Sequence, residues 1–173
     1  TKIVITKIET AAIFKIFMKC NNQILYSDPA RRICIELHWR LFRQQHLLPL
    51  TFDAAWHDSQ SIAMANNTLH TLSWHHAFLH ACCHGAKHCW KRLFWLYDVA
   101  LFVSHFSDTD WRALMALVKQ LRVQQSVAQA LYLAHIFFDV QLPSAGYQMM
   151  SAGKDRNRML RRVMRLMFGF DTG

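Results

Sequence analysis

The chain has 173 residues, 53% of them hydrophobic and 13% aromatic, with only five glycines and three prolines; this excludes a disordered chain and leaves little room for a loop-rich all-β fold. Twenty Lys and Arg against eleven Asp and Glu give a net charge of +9, which suits a polyanionic partner: nucleotide, nucleic acid or anionic lipid. No apolar run approaches the ~20 residues that span a bilayer, and no secretory signal, zinc-finger spacing or aromatic-and-basic RNA-binding motif is readable.

Residues 9–19 are expected to form a short helix. Gln23 to Tyr26 reads as a strand, Ser27-Asp28-Pro29-Ala30 carries turn chemistry, and a second strand, Ile33-Cys34-Ile35-Glu36-Leu37-His38-Trp39, follows to make a hairpin. Alternation puts Glu36 in one row with Cys34 and His38, while Ile33, Ile35, Leu37 and Trp39 form the opposite face, the expected core side. A carboxylate standing alone in the middle of such a strand is placed to hold a metal ion or a proton; the plainer alternative is a solvent-facing Glu on a half-exposed strand.

Phe52 to His57 predicts one or two helical turns. Ile62-Ala63-Met64 and Thr68-Leu69-His70 flank Asn66-Asn67, a pair that tolerates positive φ, and predict a second small hairpin with the turn at those asparagines. From Ser73 the period becomes helical. Ser73 caps a helix reaching about His88, with Leu72 at its entry. Trp90 to His105 predicts a second helix, apolar enough to be buried on most sides. Asp108 or Thr109 caps a third, with Trp111, Leu114, Met115, Leu117, Val118 and Leu121 as its apolar stripe. Val127, Leu131, Ala134 and Phe138 mark a fourth, ended by Leu142-Pro143, and Ser151-Ala152-Gly153 reads as a linker. The tail, Lys154 to Phe168, is amphipathic: Arg158, Arg161, Arg162 and Arg165 on one face oppose Leu160, Val163, Met164 and Met167. Such a helix either docks its apolar side with a solvated charged face or grips an anionic partner.

The densest chemistry lies between His75 and Cys89. His76, His80, His84 and His88 recur every four residues, so each neighbours the next on a helix surface; with Cys83 or Cys89 they could build a zinc site, although no closed Cys/His signature or H-E-x-x-H motif is present. Lys87 to Arg92 is basic and aromatic, and Lys87 and Arg92 could neutralise a triphosphate beside a cleft. Asp98 sits in a very apolar helix, where a carboxylate calls for a basic partner such as Arg92, Lys87 or a histidine. No nucleophile elbow, papain-type cysteine, glycine-rich phosphate loop or Rossmann fingerprint occurs. Five cysteines, an odd number, fit free thiols in a reducing cytoplasm.

The strings Ile35-Glu36-Leu37-His38-Trp39-Arg40-Leu41, Leu72-Ser73, His84-Gly85-Ala86-Lys87-His88-Cys89-Trp90-Lys91-Arg92-Leu93, Trp95-Leu96-Tyr97-Asp98-Val99-Ala100 and Asp110-Trp111 resemble, in order and spacing from about residue 20 to about 143, the uncharacterised bacterial nucleotidyltransferase family of the polymerase-β-like superfamily. The resemblance implies Mg²⁺-dependent transfer of a nucleoside monophosphate from an NTP to an acceptor, with three strand-borne carboxylates holding the metal. It makes Glu36 similar to the third of these, catalytic and metal-binding, and implies for the His84, Lys87, His88 and Asp98 positions contact with nucleotide or acceptor, or support of the helical cap; with Arg92, the residues His84, Lys87 and His88 are the candidates for nucleotide contact. No Gly-Ser or Gly-Gly turn with an acidic pair precedes Glu36, residues 1–19 do not match, and the chain does not begin with Met; together these suggest a truncated, inactive form. The expected fold is α+β and predominantly helical. Residues 1–72 would be the remnant of a nucleotidyltransferase-like α+β domain with a small antiparallel sheet. Residues 73–173 would be a helical bundle ending in the basic amphipathic helix. The alternatives are a non-catalytic helical module that binds an anionic partner, through Arg158, Arg161, Arg162 and Arg165, and a histidine-ladder zinc protein.

Overall fold

A computed structural model describes residues 11–169. The fold is α+β and predominantly helical: among the described residues there are eight α-helices and two antiparallel sheets of two strands each. No helix among them is long and apolar enough to cross a membrane. The chain divides into two compact units, residues 1–54 and 55–173.

In the first unit, α1 (Ala11–Cys20) precedes a ribbon of β1 (Gln23–Asp28) and β2 (Ile33–His38). Residues 9 and 10, the start of the helix predicted over 9–19, lie outside the described residues. The ribbon is antiparallel, with Leu25 opposite Glu36 and Tyr26 opposite Ile35. Asp28 builds the turn, its Oδ1 accepting from the amides of Ala30 and Arg31 at 3.1 and 3.2 Å. Trp39 and Arg40, just past β2, close the end of α1. The Trp39 indole N–H donates to the Met18 carbonyl at 3.2 Å, and the Arg40 guanidinium donates to the carbonyls of Met18, Lys19 and Asn21. Those acceptors are among the carbonyls that a helix terminus leaves without partners.

One expectation fails here. The face of β2 assigned to the core is open: Ile33, Ile35 and Leu37 are exposed, Ile35 by 59%. A two-stranded ribbon has no second layer of its own, so strict alternation marks two different faces without burying either.

The helix predicted after Pro49 is α2 (Phe52–His57). The second unit begins with a hairpin of β3 (Gln60–Met64) and β4 (Asn67–Thr71). Met64 pairs with Asn67, so the two-residue turn is Ala65-Asn66 and not Asn66-Asn67, and it is Ala65 that takes the positive φ of 52°. Five further helices and the basic tail helix follow: α3 (Trp74–Lys87), α4 (Leu93–His105), α5 (Asp108–Gln120), α6 (Gln124–Phe138), α7 (Ser144–Ser151) and α8 (Arg156–Phe168). The core is built around α6, which packs against all five others. Val127, Leu131, Leu133 and Ala134 of α6 are fully buried together with Phe78, Leu79, Leu96, Val99, Leu114 and Val118.

Several boundaries differ from those predicted. α4 starts at Leu93 because Cys89 and Trp90 both adopt positive φ. Its burial is one-sided: Leu96, Val99, Ala100 and Val103 face the core, whereas Phe94, Tyr97 and Leu101 are exposed. The cap of α5 is Ser107, whose Oγ accepts from the Asp110 amide at 3.3 Å while Asp110 accepts back from the Ser107 amide at 2.9 Å, a reciprocal capping box. α6 ends at Phe138, ahead of Leu142-Pro143, with Asp139 in the left-handed region. α7 was not predicted, and Ser151-Ala152-Gly153 is the end of it. The tail helix matches its pattern: Val163 is buried, the four named arginines are exposed, and Arg156 lies 5.6 Å from the Tyr132 ring of α6.

Candidate functional site

The chemistry-bearing residues of the second unit meet where α3 ends and α4 begins. α3 is capped at its start by Ser73, whose Oγ accepts from the His76 amide at 3.3 Å. At its end the Trp90 amide donates back to the Gly85 carbonyl at 2.8 Å and the Cys89 amide to the Ala86 carbonyl at 3.1 Å. This pair of bonds is a Schellman motif, with Cys89 (φ 54°) in the position usually given to glycine. The Trp90 ring, 1% exposed, lies over Gly85. Gly85 is therefore the seat of Trp90 and not merely a weak point in the helix. The reversal carries the chain straight from Lys87 and His88 to Lys91 and Arg92.

His80, His84 and His88 run along α3 as a ladder, with ring centroids 5.7 Å apart and then 4.6 Å apart. Trp95 of α4 packs edge-on against His84 at 5.0 Å and beside His88 at 5.6 Å. The Arg92 guanidinium sits 5.7 Å from the Trp95 ring and 5.9 Å from that of Phe94, within cation–π range. Burial, then the charges of His88 and Lys87, hold the His84 imidazole below its ordinary pKa. Burial, then Lys87, Lys91 and Arg92, do the same to His88. The corner is thus positive, and its histidines resist further charge unless an anion arrives.

Beside this corner a cleft of about 250 Å³ opens between α3 and α4, lined by His80, Ala81, His84, Phe94, Trp95 and Asp98. The expected basic partner of Asp98 is missing: no hydrogen bond or ion pair reaches it among the described residues. Burial alone acts on its carboxyl, and pushes its pKa up. The physical reason is the one-sided burial of α4, which leaves Asp98 on the half-open flank with Phe94 and Tyr97, where water and the cleft serve in place of a counter-ion. Sequence reasoning named His84 for nucleotide contact but did not see the cleft it lines with His80, Phe94 and Trp95. The signal was the matched spacing of His80 with His84 and of Phe94 with Asp98, one helical turn each on facing helices.

Of the predicted site residues, the structure brings His84, Lys87, His88 and Arg92 to this one corner. Glu36 belongs to the other unit. It lies in mid-ribbon on β2, 55% exposed, with the His38 imidazole 3.3 Å away. Mg²⁺ asks for near-octahedral oxygen ligation, and Glu36 with a histidine neighbour does not supply it. Among the described residues no three His, Cys, Asp or Glu side chains are grouped to hold a metal ion. The described residues therefore do not fit a two-Mg²⁺ centre, and among them the histidine ladder belongs to no group of ligands able to hold zinc. Cys82 and Cys83 are buried thiols pushed up in pKa, Cys83 to about 11 by burial, which makes them inert.

The predominantly helical α+β chain thus presents a cationic, aromatic corner beside a ring-sized cleft. Its family is clear: the chain belongs to the uncharacterised nucleotidyltransferase family, whose model matches residues 15–139, more than half its length. The match takes in the latter part of α1, the Glu36 ribbon, the α3–α4 corner and α6. No curated protein and no solved structure matches the chain.

Proposed function

We propose that this chain is a nucleotidyltransferase-like protein that binds a nucleoside triphosphate but does not transfer the nucleotide by itself. The family reaction moves a nucleoside monophosphate from an NTP to an acceptor hydroxyl with Mg²⁺. Lys87 and Arg92 take the phosphates, with His84 and His88 available as further donors. Glu36, in the middle of β2, is the carboxylate this chain brings to the chemistry. The observation that carries the reading is the conjunction of the family match over residues 15–139 with a Glu36 that joins no group of three His, Cys, Asp or Glu side chains able to hold a metal ion among the described residues. Five free cysteines support a reducing cytoplasm as its setting.

The test is direct. The purified chain is incubated with α-labelled NTPs, Mg²⁺ and an acceptor mixture, and nucleotide binding is measured in parallel. Binding without label transfer is expected, and Lys87→Ala with Arg92→Ala should weaken it about a hundredfold if two charge-assisted contacts are lost. Label transfer abolished by Glu36→Ala would show the chain to be self-sufficient, against this proposal. A second reading is favoured by α8, whose Arg158, Arg161, Arg162 and Arg165 are all exposed: a binding module for an anionic macromolecule. Salt-sensitive nucleic-acid binding, lost on replacing those arginines and insensitive to NTP, would support it.

A further inference from the structure

We propose that the cleft between α3 and α4 selects guanine nucleotides, with the Asp98 carboxylate accepting from N1–H and the 2-amino group of the base. The inference rests on the nucleotide-binding reading above and adds which base is taken and by which residue.

Four observations lead there. The cleft, at about 250 Å³, is smaller than the roughly 300–1,000 Å³ of pockets that enclose a drug-sized ligand. It accommodates a ring-sized group and leaves a polyphosphate outside. Outside the cleft, Lys87 and Arg92 stand at the corner where α3 passes into α4, so a nucleotide with its base in the cleft has cations within the same element pair. The lining is rich in rings, Phe94 and Trp95 from α4 with His80 and His84 from α3, set edge-on and tilted to one another, so that a planar heterocycle meets both ring faces and ring edges. Finally, Asp98 is the one carboxylate in the lining, and both of its oxygens are without a partner among the described residues.

Hydrogen-bond complementarity then chooses the base. An ionised carboxylate only accepts, and two parallel N–H donors match its two oxygens. The Watson–Crick edge of guanine presents adjacent donors, N1–H and the 2-amino group. Adenine and cytosine each set one amino group beside a ring-nitrogen acceptor, whose lone pair faces the second carboxylate oxygen. Uracil offers a single N–H between two carbonyls. Only guanine presents Asp98 with two donors and no opposing acceptor.

The test uses the full chain and equilibrium titrations with GTP, ITP, ATP, CTP and UTP, followed by calorimetry and by tryptophan fluorescence. GTP should bind most tightly. ITP, which lacks only the 2-amino group, should bind roughly tenfold to a hundredfold more weakly, the usual weight of one hydrogen bond to a charged group. Asp98→Asn replaces one acceptor by a donor and should transfer the preference to XTP, which sets N1–H beside a carbonyl; a merely structural aspartate would not produce that exchange. If the variant does not fold, the GTP-to-ITP ratio of the unaltered chain decides the matter alone. Equal affinities for all five nucleotides, weakened together by Lys87→Ala and Arg92→Ala, would overturn base selection and leave the phosphate reading standing. A preference for ATP, CTP or UTP would likewise overturn it. Absence of binding by every nucleotide would overturn both readings.

Discussion

Replacing Gly85 by Ala should destabilise the helical unit, although by helix propensity alone it should do the reverse. Ala is about 1 kcal/mol better than Gly inside a helix, and Gly85 lies inside α3. A Cβ built there would overlap ring carbons Cζ3, Cε3 and Cη2 of Trp90, a side chain that is 1% exposed and has little freedom to yield. If the ring stays and its surroundings distort, overpacking costs about 1–3 kcal/mol. If the ring is expelled, the loss approaches the ~3–5 kcal/mol of a buried Trp→Ala change. After subtracting the propensity gain, the net cost is about 0–2 kcal/mol if the ring stays and about 2–4 kcal/mol if it is expelled, the latter expected because three ring atoms are struck at once. Urea unfolding followed by far-UV circular dichroism measures the midpoint shift at constant slope. The decisive control is a double-mutant cycle: in a Trp90→Ala background, Gly85→Ala should become stabilising by up to ~1 kcal/mol. A Gly85→Ala chain as stable as the original, or the same effect in both backgrounds, would refute the assignment of Gly85 as the seat of Trp90.

Cys89→Gly should stabilise the chain by about 1 kcal/mol in the same assay, because Cys89 holds a left-handed φ of 54° that costs an L-residue roughly 1–2 kcal/mol. His76, His84 and His88 all have pKa values lowered from 6.5, each chiefly by burial. The unfolded chain therefore binds more protons than the folded one below that value, and stability that is complete above pH 6.5 should fall as the pH drops toward 5. Thermal melts across that range check it, and His76→Phe, which removes a buried imidazole whose Nδ1 has no partner, should flatten the slope. Thiol labelling of the native chain should modify the exposed Cys20 and Cys34 first and Cys82 and Cys83 only after denaturation; early loss of Cys82 or Cys83 on mass analysis would contradict their burial. Nucleotide affinity should rise as the pH falls from 7.5 to 6, since an arriving polyphosphate favours the protonated forms of His84 and His88; a flat profile would remove both from the binding surface.

Much of the helical unit could be read from local pattern. Ser73 as a cap, the Leu114–Val118–Leu121 stripe and the two faces of α8 each follow from neighbours within one or two turns. What could not be read depends on partners distant in sequence. The alternation in β2 separates two faces correctly, but no local feature tells whether anything covers Ile33, Ile35 and Leu37. The apolar run of α4 suggested burial all round, whereas Phe94, Tyr97 and Leu101 are left open because only one flank meets α3 and α6. Turn geometry was misplaced for a similar reason: the asparagines 66 and 67 favour positive φ intrinsically, yet the pairing of Met64 with Asn67 imposes it on Ala65. At the site, the four residues named at the corner were legible as a basic and imidazole-rich string. The role of Asp98 was not, since its lack of a counter-ion becomes visible only once α3 and α4 are packed.

On the proposed reading, the string His84-Gly85-Ala86-Lys87-His88-Cys89-Trp90-Lys91-Arg92 does two jobs at once, and the two constrain each other. Its apolar members, Gly85 and Trp90, form the lock that ends α3, with the Trp90 amide bonded to the Gly85 carbonyl at 2.8 Å. Its basic members occupy the positions left pointing outward by that reversal, Lys87 and His88 before it and Lys91 and Arg92 after it. A helix that simply ran on would place Lys87 and Arg92 more than a turn apart along one cylinder, about 7.5 Å of axial rise; the reversal instead brings Arg92 onto the Trp95 ring that His84 and His88 also touch. On the proposed nucleotide-binding reading, phosphate binding and helix termination are therefore coupled through Trp90. Disturbing Gly85 should weaken nucleotide binding without removing Lys87 or Arg92, the groups proposed to take the phosphates.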